Sequence, residues 1–474
     1  MKLATAVLLV LAAAVPAGAA DKPNILFLLT DDQAYDAVHA LGWQELQTPH
    51  LDRLVHEGVT FTHAYNPGSW SGAVCVASRT MLFTGQMLWR AKRDQRFLEA
   101  RYVEPARSWP QRMQAAGYHT CMTGKWHVQV DPHRVFDDVR HVRPGMAGAR
   151  PAMYDRPLAD RPDPFDPADP ALGGYWKGGR HWSEVVADDA VAMIEESAGG
   201  DRPFFLYAAF NAPHDPRQSP AEYLAMYPPD QMDVPASFLP EYPDAEAIGA
   251  GRGLRDERLA PFPRTEHAVR VHRAEYAALI SHLDAQIGRI LASLGELGLR
   301  ESTYIVFTSD HGLAIGRHGL MGKQSMYEHS LRPPLVVAGP GMPAGERVSQ
   351  RVYMQDVVPT TLELAGADSQ GTGFQSLLPL IGGQEAGDAE PAGREAIYGS
   401  YLDRQRAILV GPWKLIVYPQ VPRFLLFNLD DDPEEMTDLS DRAELRPVVE
   451  RLFRRLEEEQ RRLEDPLELT PPSW

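Results

Sequence analysis

Apolar positions along this chain form two kinds of pattern. The first is a continuous run, Asn24-Ile25-Leu26-Phe27-Leu28-Leu29-Thr30. A run of this length predicts a strand buried on both faces, and so a parallel sheet covered by helices. Shorter runs at 118–123, 203–210, 303–308 and 334–338 predict further strands of the same sheet. The second pattern is helical spacing. Leu51, Leu54 and Val55 share one face of a helix, with Thr48 as N-cap, Pro49 in the first turn and Gly58 ending it. Tyr276, Leu279, Ile280, Leu283, Ile287, Ile290, Leu291 and Leu294 predict a long amphipathic helix over 269–297. Strands alternating with helices argue for a doubly wound α/β domain.

After about residue 350 the pattern changes. Short strand-like runs at 398–401, 406–410, 414–417 and 424–428 predict a small antiparallel sheet, and a charged helix follows over 445–463. Residues 143–180 are crowded with Pro, Asp and Gly, and 212–265 are rich in proline. Both read as long loops, which on a rigid scaffold often shape a binding site. At the start, Lys2, the apolar run 7–15 and Ala17-Gly18-Ala19 match a secretory signal peptide. The expected division is a signal peptide over 1–20, a catalytic domain over 21–350 and a C-terminal subdomain over 351–474. The mature protein is expected to be exported, periplasmic or extracellular, with no transmembrane segment.

Composition narrows the function. The 474 residues carry a net charge of -17, a poor match for nucleic acid, which requires a basic face. An anionic substrate would have to be attracted locally. There are two cysteines, Cys75 and Cys121. An exported protein could join them, and neither lies in a metal-spaced cluster.

Polar groups cluster where the predicted strands end. Asp31-Asp32 follows the first strand, Asp310-His311 another, and His214 a third. In open α/β sheets, ligands bind beyond the carboxyl ends of strands. Adjacent carboxylates repel and together call for a cation, and hard oxygen donors favour Ca²⁺ or Mg²⁺.

The segment Cys75-Val76-Ala77-Ser78-Arg79-Thr80-Met81-Leu82-Phe83-Thr84-Gly85 matches the sulfatase signature C-x-[PA]-S-R-x-x-x-[LF]-T-G at every defined position. Gly117-Tyr118-His119-Thr120 and Gly124-Lys125-Trp126-His127 fit the second signature. Ala212-Pro213-His214, Thr308 to Gly312, Gly322-Lys323 and Leu426-Phe427-Asn428-Leu429 continue the match in order. The chain thus resembles the type I, formylglycine-dependent sulfatases of the alkaline phosphatase-like superfamily. The resemblance implies a large α/β domain with a mixed, mostly parallel central sheet flanked by helices, plus a small C-terminal α+β subdomain with an antiparallel sheet.

It also implies chemistry. Cys75 would be oxidised to formylglycine by a formylglycine-generating or sulfatase-maturating enzyme. One oxygen of the aldehyde hydrate would attack sulfur, and the other would expel sulfate. Asp31, Asp32, Asp310 and His311, with position 75, would surround one Ca²⁺, Mg²⁺ being the alternative. Many sulfatases carry asparagine at the place of His311. Arg79, Lys125 and Lys323 would surround the sulfate. His127 would act as base, and His214 or Lys323 would protonate the leaving alcohol. His318, Tyr327, Glu328 and His329, and His181, Trp182 and Arg217, are candidates for the pocket mouth, with packing or surface roles as the default reading.

The expected function is hydrolysis of a sulfate ester on a sulfated carbohydrate. The alternatives are an arylsulfatase- or choline-sulfatase-like enzyme for small esters, a formylglycine-dependent phosphodiester or phosphonate hydrolase, and a glycan-binding protein on an inactive sulfatase scaffold.

Overall fold

The computed structural model describes residues 22–148, 150–382 and 393–473. The expected signal peptide lies outside the described residues. The strands are β1 (Asn24–Thr30), β2 (Val59–Phe61), β3 (Ala64–Tyr65), β4 (Gly68–Ser69), β5 (His119–Lys125), β6 (Asp138–Arg143), β7 (Trp176–Lys177), β8 (Arg180–His181), β9 (Phe204–Ala209), β10 (Thr303–Ser309), β11 (Leu335–Ala338), β12 (Glu346–Val348), β13 (Val352–Tyr353), β14 (Ala396–Tyr401), β15 (Gln405–Val410), β16 (Trp413–Tyr418) and β17 (Arg423–Asn428). The helices are α1 (Pro49–Glu57), α2 (Val74–Thr84), α3 (Leu88–Asp94), α4 (Trp109–Ala115), α5 (Trp182–Ala198), α6 (Ala221–Leu224), α7 (Glu266–Glu296), α8 (Glu328–Leu331), α9 (Val357–Leu364) and α10 (Arg446–Leu463).

Eight strands form the main sheet in the order β12-β2-β11-β10-β1-β9-β5-β6. β1 lies at its centre, parallel to β10 and β9. Its side chains alternate between two cores, as the period of two requires. Ile25, Phe27 and Leu29 pack with Leu82 of α2, Trp109 of α4 and Val357 of α9. Leu26 and Leu28 pack on the other face with Leu54 of α1, Val186 of α5 and Leu283 of α7. This is the mixed, mostly parallel sheet between helix layers that the pattern predicts. β11 alone runs against its neighbours, β10 and β2. The chain between β10 and β11 stays beyond the carboxyl end of β10 and does not cross a sheet face, so it re-enters the sheet in reverse.

The second sheet has the order β17-β16-β15-β14-β4 and packs against α10. The division expected at residue 350 is crossed in both directions. β4 of the N-terminal part pairs in parallel with β14, while α9 packs in the core of the main sheet. Gly68 makes the first crossing possible: its φ is +96°, and a Cβ there would lie 1.9 Å from the Ser400 carbonyl oxygen.

The cap expected on α1 needs correction. Thr48 stands at the N-cap of α1, but its hydroxyl donates to Asp52 Oδ1 at 3.0 Å. The cap comes instead from Asp284 of α7, whose carboxylate accepts from Leu51 N at 2.8 Å and His50 N at 3.2 Å. Helix α5 borders the first predicted loop, and its Val186, Ala187, Ala190, Met193 and Ile194 are buried at helical spacing. Cys75 and Cys121 remain separate, each buried with a free thiol.

Candidate active site

The register of the central strands builds the site. Thr30 of β1 lies opposite Ser309 of β10, so Asp31-Asp32 and Asp310-His311 leave the sheet side by side. Asp32 takes a left-handed φ of 70°, a conformation that costs energy for a residue with a Cβ and clusters at functional sites. Tyr276 of α7 holds this turn: its hydroxyl donates to the Asp32 carbonyl at 2.7 Å and accepts from Ala34 N at 3.2 Å.

Helix α2 brings the signature to the same place. Cys75 is its second residue, and Arg79 follows one turn later on the same face. Cys75 Sγ lies 3.1 Å from Asp31 Oδ1 and 3.4 Å from His311 Nε2. Arg79 Nε donates to Asp310 Oδ2 at 3.1 Å and its Nη1 to the Lys125 carbonyl at 2.7 Å. Its Nη2 is buried without a hydrogen-bond partner. Ser78 Oγ donates to the Asp310 carbonyl at 2.9 Å, tying the helix to the strand end.

Lys125 enters from the end of β5. Gly124 before it has a φ of +93°, and a Cβ there would meet the Ala209 carbonyl oxygen at 1.9 Å. The register against β6 shifts at this point, and such an irregularity re-aims the next side chain. Lys125 Nζ is ion-paired with Asp31. Lys323 reaches in from the loop after β10. Its Nζ donates to both carboxylate oxygens of Asp32 at 2.8 Å and lies 3.6 Å from Cys75 Sγ. His214 Nε2 stands 3.8 Å from Asp32 Oδ2, and its Nδ1 lies 2.7 Å from the Asp215 carbonyl. His127 is the partly exposed member, with a φ of 59° and Gly145 packed against its ring.

Ligand atoms of Asp31, Asp32, Cys75, Asp310 and His311 all lie within 4.8 Å of one another, and all five residues are buried. His311 Nδ1 is 2.9 Å from the Gly312 carbonyl. With a cation bound, a proton on Nδ1 for that contact would leave the lone pair of Nε2 free to ligate it. Burial pushes Asp310 up, but His311, Arg79 and Lys125 outweigh it and hold the carboxyl well below the usual range. Burial lifts Asp32 to about 6 against the pull of Lys323 and His311. Burial and then Asp31 raise the Cys75 thiol. Burial, then Lys125 and Arg79, lower His127 to about 4. Three carboxylates crowded in a buried space are a donor set suited to a hard divalent cation. The residues present fit one.

The structure thus brings together Asp31, Asp32, Cys75, Arg79, Lys125, His214, Asp310, His311 and Lys323, with His127 at the rim. It also shows supporting residues that the pattern missed. Asp256 Oδ2 is 3.9 Å from Lys323 Nζ and accepts from Gln324 Nε2 at 2.7 Å. Arg255 is ion-paired with both Asp215 and Asp256. Glu257 accepts from Met321 N and Gly322 N, each at 2.9 Å, and so holds the Lys323 loop. The charged run Arg255-Asp256-Glu257-Arg258 inside a proline-rich stretch is the sequence feature that could have found them.

The pocket-mouth candidates are interior instead. The rings of His318 and Tyr327 stack at 4.0 Å, and Tyr327 packs on His329. Tyr327 shares a 3.1 Å hydroxyl contact with Tyr242, and Glu328 is 3.0 Å from buried Lys414 of the second sheet. His181 Nδ1 caps α5 by accepting from Ser183 N at 3.1 Å. Trp182 lies under the Arg143 guanidinium, and Arg217 Nη1 is 3.1 Å from His272 Nδ1. These groups fasten layers to one another.

The mixed sheet, the strand-end carboxylates and the antiparallel C-terminal sheet define a hydrolase of the alkaline phosphatase-like superfamily. The Sulfatase family model matches residues 23–367, and a model described as N-sulphoglucosamine sulphohydrolase, C-terminal, matches 316–462. The chain belongs to the sulfatase family and is a sulfuric ester hydrolase. It is 25% identical over 520 residues to an N-acetylglucosamine-6-O-sulfatase of Bacteroides thetaiotaomicron, covering 94% of this chain and 87% of that protein. It is 29% identical over 452 residues to a choline-sulfatase of Rhizobium meliloti, covering 89% and 83%. Its fold is similar to a solved structure in complex with its substrate D-glucosamine-2-N,6-O-disulfate, with a TM-score of 0.73, 24% identity and coverage of 94% and 99%. It is equally similar in fold to the phosphonate monoester hydrolase of Agrobacterium radiobacter, with a TM-score of 0.73, 21% identity and coverage of 93% and 96%.

Proposed function

We propose that this enzyme removes sulfate from a sulfated carbohydrate, with position 75 as nucleophile after oxidation of Cys75 to formylglycine. The observation that carries this is the placement of Cys75 Sγ 3.1 Å from Asp31 and 3.6 Å from Lys323 Nζ. Asp31, Asp32, Asp310 and His311 would hold the cation, Ca²⁺ before Mg²⁺. When bound, that ion would polarise a sulfate oxygen and favour the ionised nucleophile. Arg79, Lys125 and Lys323 place positive charge where sulfate oxygens would lie. His127 serves as base, and His214 or Lys323 gives a proton to the leaving alcohol. The carbohydrate part is supported by the N-acetylglucosamine-6-O-sulfatase among the relatives.

Cys75 is 2% exposed, so its oxidation by a maturating enzyme belongs before folding is complete. That order suits an exported chain, in the periplasm or outside the cell. Among the described residues, no helix is long and apolar enough to cross a membrane. The test has two parts. The Cys75 peptide of protein from its own host should be lighter than the thiol form by about 18 Da, the mass change of thiol to aldehyde. Sulfated sugars should be hydrolysed faster than phosphate diesters or phosphonate monoesters. A thiol at position 75 in active host protein, or a preference for the phosphorus esters, overturns the reading.

A further inference from the structure

At the opposite end of the sheet from the strand-end carboxylates lies a second cleft, of about 1030 Å³. Helix α2 separates it from Cys75 by about 14 Å, at 1.5 Å rise per residue up to Thr84, and Gln86 just beyond lines it. Ala116 and Gly366 also line it. Lys22, just before β1, donates to the carbonyls of Ala116 and Ala365, which fixes the cleft at the amino end of the central strands. No group of the catalytic cluster contributes to it.

Its charge departs from that of the whole. The chain carries -17, yet residues 88–112 hold seven Lys and Arg against three Asp and Glu. Arg90, Arg93, Arg101, Arg107 and Arg112 line the cleft, with Asp94 and Asp368. Arg93 and Arg101 are neutralised by Glu464 and Asp94. Arg112 spends its Nη1 on the carbonyls of Asp368 and Gln370, with no carboxylate partner among the described residues. Arg90 and Arg107 are exposed, and neither forms a side-chain hydrogen bond or ion pair among the described residues. Five guanidinium groups thus line the cleft against the two carboxylates of Asp94 and Asp368, and Arg90 and Arg107 have no acid partner among the described residues.

We propose that this cleft is an exosite for a sulfated polysaccharide, a stretch of the polymer distinct from the ester being cut. This rests on the reading of the substrate as a sulfated carbohydrate. Guanidinium forks match tetrahedral oxyanions with paired hydrogen bonds. The volume sits at the upper end of the range for small-ligand pockets, about 300–1000 Å³, so it suits an oligomer better than a single ester. Unpaired bases find no platform there: the lining aromatic, Tyr102, is buried with its hydroxyl donating to Asp94. A membrane finds little either, since the one exposed large apolar side chain from this segment among the described residues, Phe97, has the Arg101 guanidinium over its ring. Engaging the polymer at two points raises its effective concentration at the catalytic site.

The test compares the full-length enzyme with the double variant Arg90→Glu/Arg107→Glu, using dextran sulfate and unsulfated dextran as probes at about 100 mM salt, where charges beyond about 10 Å are screened. The wild type should bind dextran sulfate and not dextran. The variant should bind it at least tenfold more weakly, with an unchanged melting temperature and with turnover of 4-nitrophenyl sulfate within twofold. If charge reversal perturbs folding, Arg90→Gln/Arg107→Gln replaces it. Absent wild-type binding, equal binding by the variant, or equal binding of dextran overturns the proposal. So does tighter binding of single-stranded DNA or phosphatidylserine vesicles, lost in the same variant. Binding is read without turnover, so its failure is separate from failure of the sulfatase mechanism, which the small ester reports.

Discussion

Lys323 Nζ lies 2.8 Å from both carboxylate oxygens of Asp32, although 291 residues separate the two in sequence. Burial alone would drive the proton off the ammonium, but Asp32 and then Cys75 hold its pKa well above the ordinary value. The group therefore stays protonated beside the nucleophile position. Lys323→Met should lower kcat/KM for a sulfate ester by about 10²–10³, the usual effect of losing one donor to developing charge. Steady-state kinetics checks this, and a loss under threefold would remove Lys323 from the catalytic group.

Glu257 is a positioning residue for Lys323, because it accepts the amide protons of Met321 and Gly322 while paired with Arg264 at 2.6 Å. Glu257→Ala leaves those two amides without an acceptor and takes from the buried Arg264 guanidinium its carboxylate, though not its backbone carbonyls, at a cost of about 1–3 kcal/mol for each unsatisfied group. We expect a lower melting temperature together with a fall in kcat of at least tenfold. Glu257→Gln keeps the acceptor for the amides and should recover more of kcat than of stability. Equal recovery of both would reduce Glu257 to a purely structural role.

His214→Ala separates the two possible proton donors. A general acid contributes about 10²–10⁴-fold, and most where the leaving group is basic. The variant should lose activity on a sugar sulfate by a factor in that range and lose far less on 4-nitrophenyl sulfate, whose leaving group needs little help. Parallel losses on both esters would pass the role to Lys323.

The crowding of Asp31, Asp32 and Asp310 makes the folded state sensitive to a divalent cation. Chelation should abolish turnover and lower the melting temperature, and added Ca²⁺ should restore both. An ion present at 100 times its Kd stabilises by about 2.7 kcal/mol. Calorimetry with and without Ca²⁺ reads this shift, and Asp310→Asn should shrink it. A chelated enzyme with an unchanged melting temperature would contradict the assignment.

His318 predicts an acid limb in stability. Burial first, then Arg317 and Lys414, lower its pKa to about 4 from the model-compound value of 6.5, against a raising contact with the Glu435 carbonyl. Between these values the unfolded chain binds the proton more readily. Its contribution is thus full above pH 6.5 and lost as pH falls toward 4. The gap corresponds to about 3 kcal/mol at 1.36 kcal/mol per unit. Urea unfolding from pH 4 to 7 should show this slope, and His318→Phe should flatten it while keeping the ring stack on Tyr327.

Local patterns carried much of this protein. Burial on both faces forced the apolar runs of β1, β9 and β10, and the helical spacing of α7 follows from its covered stripe. The signature around Cys75 and the acidic pairs at strand ends were legible because neighbours in sequence remain neighbours in space there. Other features depend on distant partners. The reversal of β11, the pairing of β4 with β14, and the cap that α7 lends to α1 through Asp284 each join segments far apart in the chain. The interior stack of His318, Tyr327 and His329 is of the same kind, as is the Glu257 clamp on the Lys323 loop. A side chain's type and its near neighbours state what it can bond to. Which of many equivalent partners it meets is settled only when the layers pack, because burial makes one arrangement of donors and charges far less costly than the rest.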